Sequence, residues 1–393
     1  MRFSASNARR THWVRFHNHT NLQEAEMSDK IRLGIIGVGQ IGKHHIKRYQ
    51  SIPEAEIVAV ADVREDEAQR VAQEFGIPYV YTDYRDLLDR EDITSVDVCL
   101  HNRLHRPVTV DALQAGKNVY CEKPMSWTYQ EAKVMRDTAR ATGRMLHIQL
   151  STLYAPTTRA AKRLIDEGHL GELYYAKASH YRRRGRPFVD GYGTQAFVNT
   201  STSGGGALLD MAVYHISRIL YLLGNPEVLT VSGSTYQKLD NMYPDRREIS
   251  KYNVEELGMA VIRLAGGVTF FMEEAWAIHS ERLENDYLYG SKGGLRLDPL
   301  YYYTTLGDVE MDGSFDVEGT DWRWHQCDPT TAYYDDSQAH WIAAQLGRVP
   351  LLDTAGIALN TAFITEGIYI SGHLGHEVSA QDIEQAAPGL GRV

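Results

Sequence analysis

Residues 31–42 read IRLGIIGVGQIG and continue as KHHIKRYQSIP. Ile31, Leu33, Ile35, Ile36 and Val38 make a short apolar run broken by Gly37, Gly39 and Gly42, the G-x-G-x-x-G spacing of a strand-to-helix turn. Such a turn cradles a diphosphate. Gly37 permits the tight bend, Gly39 offers no Cβ to block a pyrophosphate, and Gly42 lets the helix close onto the strand, so that N–H groups around Gln40 and Ile41 face the anion. A second apolar run, 55–61 (AEIVAVA), ends at Asp62, about twenty residues past the last glycine, where a carboxylate accepts ribose hydroxyls. Val63 and Arg64 follow in the same loop. An ordinary glycine turn is the rival reading, and an acid at this distance argues against it. Asp62 also points to NAD rather than NADP, because a carboxylate there repels the extra phosphate; Arg64 softens that preference.

At 393 residues the chain has room for about two domains with a core each. Hydrophobic residues are 43% and charged residues 23%, ordinary for a globular protein. A net charge of −10 and a pI near 5.9 give no general attraction to nucleic acid or to anionic membranes. Cys99, Cys121 and Cys327 are scattered, so neither a disulfide framework nor a zinc-thiolate site is expected, and a reducing, cytoplasmic compartment fits. No apolar run of about eighteen residues occurs. Residues 1–28, with Arg2, Arg9, Arg10 and Arg15, read as a flexible N-terminal extension; Met27 would make a natural start.

Past the glycine turn, helices are expected over 43–51, 64–75, 84–90, 107–115 and 129–142, alternating with strands over 55–61, 79–81, 95–100, 118–121 and 145–150. This alternation implies an N-terminal Rossmann domain, 29–150, a doubly wound parallel sheet. Beyond 150 the pattern changes. A helix over 156–168 precedes β-rich runs at 173–181, 227–236, 254–264, 268–278 and 287–297. These predict a C-terminal α+β domain, 151–393, for substrate binding and oligomerisation, with a large, mostly antiparallel open sheet. One face of that sheet, rich in aromatic residues, needs cover, so a homo-oligomer, a dimer or tetramer, is expected.

Open parallel sheets bind ligands at the carboxyl ends of their strands. Those ends deliver Asn102 and His105 after one strand and Glu122, Lys123 and Pro124 after the next. Lys123, held by Pro124, is placed to stabilise an alkoxide beside a nicotinamide. In the second domain, 204–215 reads GGGALLDMAVYH and opens a helix. At roughly 100° per residue, Asp210 and Tyr214 share a face and His215 is displaced from Asp210 by roughly 140°. Geometry favours Tyr214 for proton transfer; chemistry favours His215, which titrates near neutral pH. Both stay open, the tyrosine with an adjacent lysine to lower its pKa. Gln149 and Tyr154, at the domain junction, and Arg182, in the arginine-rich stretch 180–199, are substrate-binding candidates alongside Asp210, Tyr214 and His215. Inter-domain packing and solvated arginines are the plainer alternatives. Trp276 and His279 are weaker candidates. No HExxH or Cys/His spacing calls for a metal.

Together, GVGQIG, Asp62, NRLH at 102–105, CEKP at 121–124 and GGGALLD before a helix resemble the Gfo/Idh/MocA family of sugar oxidoreductases, over about residues 29–375. The resemblance implies a catalytic set of Lys123, Asp210 and Tyr214. Two departures stand out: His101 where a proline usually precedes Asn102, and Tyr214-His215 where many members carry a single histidine. The expected activity is NAD-dependent hydride transfer from a secondary alcohol of a sugar, cyclitol or glycoside. Glycoside cleavage through transient ring oxidation and a non-catalytic NAD sensor are the alternatives.

Overall fold

Short apolar runs alternating with helices fold into six parallel strands: β1 (Ile31–Ile36), β2 (Ala55–Ala61), β3 (Tyr79–Tyr81), β4 (Ser95–Val98), β5 (Asn118–Cys121) and β6 (Leu146–Ile148). Their order, β3-β2-β1-β4-β5-β6, reverses direction at β1 and β4, the switch point where such sheets bind dinucleotides. The chain is seen in a computed structural model that describes residues 30–239 and 244–392; the expected extension, 1–28, lies outside the described residues. β1 is covered on both sides, Leu33 and Ile35 packing with Tyr49, Val71 and Tyr120 and Ile36 with Val58, Val96 and Val98. Two-sided burial explains why these strands read as apolar runs rather than alternations.

Helices Gln40–Gln50, Glu65–Phe75, Tyr84–Leu88 and Tyr129–Thr142 stand where expected, with ends shifted by a few residues. The helix expected from Pro107 instead spans Asn102–Gln114, with Pro107 inside it. Proline usually opens a helix, but here it omits a single backbone bond and the helix runs through. Asn102 and His105 therefore lie on its first turns rather than on a loop.

The second sheet has nine strands: β7 (Leu173–Tyr181), β8 (Val228–Tyr236), β9 (Leu257–Leu264), β10 (Thr269–Ala275), β11 (Leu283–Gly290), β12 (Gly293–Arg296), β13 (Tyr301–Leu306), β14 (Val309–Ser314) and β15 (Val378–Ser379). Their order is β14-β13-β12-β11-β7-β10-β9-β8-β15. β7 and β10 pair parallel, the other neighbours antiparallel. The single run expected over 287–297 is two strands of a hairpin that turns at Ser291 and Lys292. Helices Val213–Leu222 and Thr354–Leu374 cover one face, joining Ile216, Ile219, Phe363 and Ile368 to Ala260, Ile262, Phe270 and Leu288. The helix Ser337–Gln345 returns to the first domain and seats Trp341 among Leu33, Ile35 and Tyr120. No helix among the described residues is long and apolar enough to cross a membrane.

Candidate active site

At the end of β1 the glycine turn forms an open cradle. Gly37 holds φ at +96°, and a Cβ there would strike the Cys99 carbonyl oxygen, whereas the space in front of Gly39 is empty to 4 Å. No side chain caps the helix Gln40–Gln50, so its first N–H groups, those of Gln40, Ile41 and Gly42, remain for an anion. Asp62, just past β2, accepts the Val38 N–H at 3.1 Å and the Arg64 N–H at 3.0 Å. Arg64 folds back on that carboxylate, its Nε 3.3 Å from Oδ1, and Val63 is 88% exposed beside it. A diphosphate cradle next to an anchored acid fits a dinucleotide with free ribose hydroxyls.

Across the cleft, Asp210 lies in a π-helical turn, Leu208–Ala212, that leads into the helix Val213–Leu222. The turn is fastened from below. Both carboxylate oxygens of buried Glu255 accept the Gly206 N–H, at 2.8 and 2.9 Å, and one also accepts the Leu208 N–H and the Tyr369 hydroxyl. The 100° stepping expected of an α-helix does not hold through a π turn, yet Asp210 and Tyr214 do meet one partner. Lys123 Nζ donates to Asp210 Oδ1 at 3.0 Å and to the Asp210 carbonyl at 2.7 Å. It also lies 4.5 Å from the centroid of the Tyr214 ring. Trp276 Nε1 donates to Asp210 Oδ2 at 3.1 Å, so both carboxylate oxygens are engaged. Burial works against the Lys123 charge, but Asp210 and Tyr214 hold its pKa above the ordinary lysine value. Burial raises the Tyr214 pKa, and the Lys123 ammonium opposes that rise.

Behind Lys123 stands a buried polar chain. His45, fully buried, has Nδ1 2.8 Å from Asp97 Oδ2 and Nε2 2.9 Å from Glu122 Oε1; Glu122 Oε2 accepts the Lys123 backbone N–H at 3.0 Å. Burial disfavours a charged imidazole here, yet Cys99 and Asp97 hold the His45 pKa well above its ordinary value. Glu122 is lowered: burial pushes it up, and His45 and Lys123 outweigh that. Asn102 and His105, expected to meet the cofactor, also hold neighbouring segments together. Asn102 donates to the Ser203 carbonyl at 2.7 Å. His105, fully buried, spans the Pro124 and Leu100 carbonyls at 2.8 and 3.0 Å, joining the segments after β4 and β5.

The remaining candidates divide. Arg182 Nη1 meets the Tyr192 hydroxyl at 3.1 Å, on the loop beside the Asp210 turn. Gln149 is half-buried and accepts the Tyr120 hydroxyl at 2.9 Å. Tyr154 is withdrawn from the cleft: it is 3% exposed and its hydroxyl meets His147 Nε2 at 3.2 Å, because the aromatic packing between the domains claims the ring. His215 is turned from Lys123 toward the sheet, its Nδ1 3.3 Å from Asp286 Oδ2. His45, Glu255 and Asp286 were not expected from the sequence. His45, three residues after Gly42, was the one with a local signal.

The cradle, the acid beside it and a lysine-carboxylate-tyrosine cluster across the cleft define a dinucleotide-dependent oxidoreductase. Residues 31–150 match the model of the GFO/IDH/MocA oxidoreductase family, NAD-binding Rossmann fold, and 158–296 match the GFO/IDH/MocA C-terminal domain. The chain is 32% identical over 290 residues to D-glucoside 3-dehydrogenase of Escherichia coli (strain K12), spanning 72% of this chain and 81% of that protein. It is 24% identical to myo-inositol 2-dehydrogenase of Thermotoga maritima, over 68% of this chain and 75% of the other. Levoglucosan dehydrogenase in complex with NADH and levoglucosan shares the fold, with a TM-score of 0.74 at 21% identity, covering 89% of this chain and 99% of that one. The chain belongs to the GFO/IDH/MocA family and is an NAD-binding oxidoreductase of CH–OH groups.

Proposed function

We propose that this chain oxidises a secondary alcohol of a sugar, cyclitol or glycoside, with Lys123, Asp210 and Tyr214 as its catalytic residues. The supporting observation is the convergence of the Lys123 ammonium on the Asp210 carboxylate, 3.0 Å away, and the Tyr214 ring, 4.5 Å away, at the carboxyl end of the Rossmann sheet. NAD, when bound, supplies the hydride acceptor. Two of the three Lys123 N–H donors go to Asp210, which leaves one for the substrate oxygen, where a fixed positive charge stabilises an alkoxide as it forms. Tyr214, as the phenolate, takes the hydroxyl proton; the neighbouring ammonium favours that anion against the burial that raises the phenol. Asp210, fixed by Trp276, keeps Lys123 on target. The similarity to D-glucoside and myo-inositol dehydrogenases supports a polyol ring as substrate, and Arg182 and Gln149 are proposed to contact its substituents. The three free cysteines, two of them buried, suit the reducing, cytoplasmic setting of this reading.

The test is NADH formation by the purified protein with a panel of glucosides, inositols and anhydrosugars. Lys123→Ala should lower kcat by about 10²-fold or more with NADH affinity near wild type, and Tyr214→Phe by about 10²–10⁴-fold. Undiminished turnover in Lys123→Ala rejects the assignment. Release of an aglycone without net NADH points instead to transient ring oxidation followed by elimination.

A further inference from the structure

The inner face of the nine-stranded sheet turns from apolar to polar beside the Lys123–Asp210 pair. Strand alternation sets Phe270, Met272 and Glu274 of β10 on that face; the first two fill the core, and Glu274 comes into register with His180 of β7. Trp276, two residues further along, bonds Asp210. Glu274 is 2% exposed, yet among the described residues its one polar contact is His215 Nε2, 3.9 Å from Oε2, beyond hydrogen-bond reach. A buried carboxyl that has shed its hydration without gaining a bond costs the fold stability. Its partner has to come from outside the chain.

His215 is shaped to share that partner. Its Nδ1 lies 3.3 Å from Asp286 Oδ2, and Arg218 Nη1 lies 3.3 Å from the same oxygen, so Asp286 is a fixed acceptor and the imidazole proton sits on Nδ1. Nε2 then presents a lone pair toward Glu274. Burial lowers the His215 pKa against the pull of Asp286, and the His180 ring stacked on it, centroids 3.2 Å apart, disfavours a second positive charge. Burial also raises the Glu274 pKa well above the ordinary carboxylate value, against the pull of Arg182. An acid with a proton to give faces a nitrogen with a lone pair to offer. The 3.9 Å between them admits one oxygen about 2.8 Å from each, at an angle of about 90°.

We propose that Glu274 and His215 clamp a second hydroxyl of the ring whose first hydroxyl is oxidised at Lys123, so that the substrate is a polyol ring rather than an isolated secondary alcohol. The clamped hydroxyl accepts the Glu274 O–H and donates its own proton to His215 Nε2, which matches the donors and acceptors of all three groups. Its place follows from the strand. Glu274 and Trp276 stand two residues apart, about 7 Å, and Trp276 is bonded to Asp210, the partner of Lys123; a six-membered ring with its hydroxyls spans such a distance. A ring lacking that hydroxyl strands a buried acid and a buried imidazole, so the clamp selects by rejection. Which hydroxyl is oxidised rests on the function proposed above; the grip on the second one is a matter of binding alone.

The test therefore reads binding apart from turnover. Calorimetry on the full-length protein saturated with NADH should find at least one monodeoxy analogue of methyl β-D-glucoside bound about 10- to 100-fold more weakly than the parent sugar. In Glu274→Leu, checked for folding by melting temperature and NADH affinity, the parent should bind as weakly as that analogue, and removing the hydroxyl should cost nothing more, the non-additivity of two groups in one contact. Glu274→Gln, with an amide donor in place of the acid, should keep an affinity near that of the wild type. The proposal is overturned if no monodeoxy analogue binds the wild type more weakly than the parent, if folded Glu274→Leu keeps the full discrimination, or if Glu274→Gln loses as much as Glu274→Leu. Discrimination that vanishes in Glu274→Leu, with no NADH formed by the wild type, would keep the clamp and reject the dehydrogenase reading; NADH formation with discrimination undiminished in that variant would do the reverse.

Discussion

Gly39 separates two demands that coincide at most positions of a glycine turn. Gly37 is required by the fold, since its φ of +96° and the Cys99 carbonyl exclude a side chain. Gly39 is different: its φ of −64° is open to any residue, and nothing in the protein lies within 4 Å of where its Cβ would be. Gly39→Ala should therefore leave the melting temperature unchanged. If a diphosphate packs against that bare Cα, the methyl overlaps it at about 1–3 kcal/mol, and NAD affinity falls about 5- to 150-fold. Titration of intrinsic fluorescence with NADH measures it, and unchanged affinity would mean the cofactor does not lie across the turn. Such residues were legible because their spacing is local: Gly37, Gly39, Asp62, Lys123 and Asp210 each follow from a pattern within a few dozen residues. The contact of His180 with Asp286, 2.8 Å apart, was not, because 106 positions separate the two and they meet only through strand register.

At the scale of elements, His45 joins the helix after the glycine turn to the end of β5. It bridges Asp97 and Glu122, and Glu122 in turn accepts the Lys123 N–H, so the glycine turn and the lysine proposed as catalytic share one buried support. His45→Ala strands two buried carboxylates and should destabilise the fold by about 3–5 kcal/mol. The sign with pH follows from the raised His45 pKa. The contribution of this imidazolium is complete below the unfolded value, about 6.5, and is lost as pH climbs through the folded one. Denaturant melts of both proteins should show the stability gap narrowing on the alkaline side of neutrality; a gap that is flat there and shrinks only below about pH 6.5 would mean the imidazole is buried neutral. Elements with a strong period, such as Tyr129–Thr142 and β7, were read with their true bounds. The helix Thr354–Leu374 was missed because it is buried on most of its circumference, and a helix apolar all round has no stripe to read.

For the whole molecule, the decisive feature is the sheet face that no helix among the described residues covers. Strand alternation turns Ala176, Ala178 and His180 of β7 inward and Tyr175, Lys177 and Tyr181 outward. On that outer face Tyr175 stacks on Tyr289 at 5.2 Å, Tyr289 on Tyr287 at 5.9 Å, and Tyr301 on Tyr303 at 6.3 Å, with Phe271 and Val261 on the neighbouring strands. A continuous aromatic surface of this kind is a docking surface in most globular proteins, and a second copy of the same sheet is self-complementary about a two-fold axis. The expected dimer or tetramer is therefore proposed to form through this face. Tyr289→Glu places a carboxylate at its centre, harmless in a solvated monomer but unpaired in a buried interface. Light scattering after gel filtration should find the wild type as a dimer or tetramer and the variant as a folded monomer. A wild type that is monomeric at micromolar concentration would leave the tyrosine ladder to some other partner and remove the structural reason for so wide an open sheet.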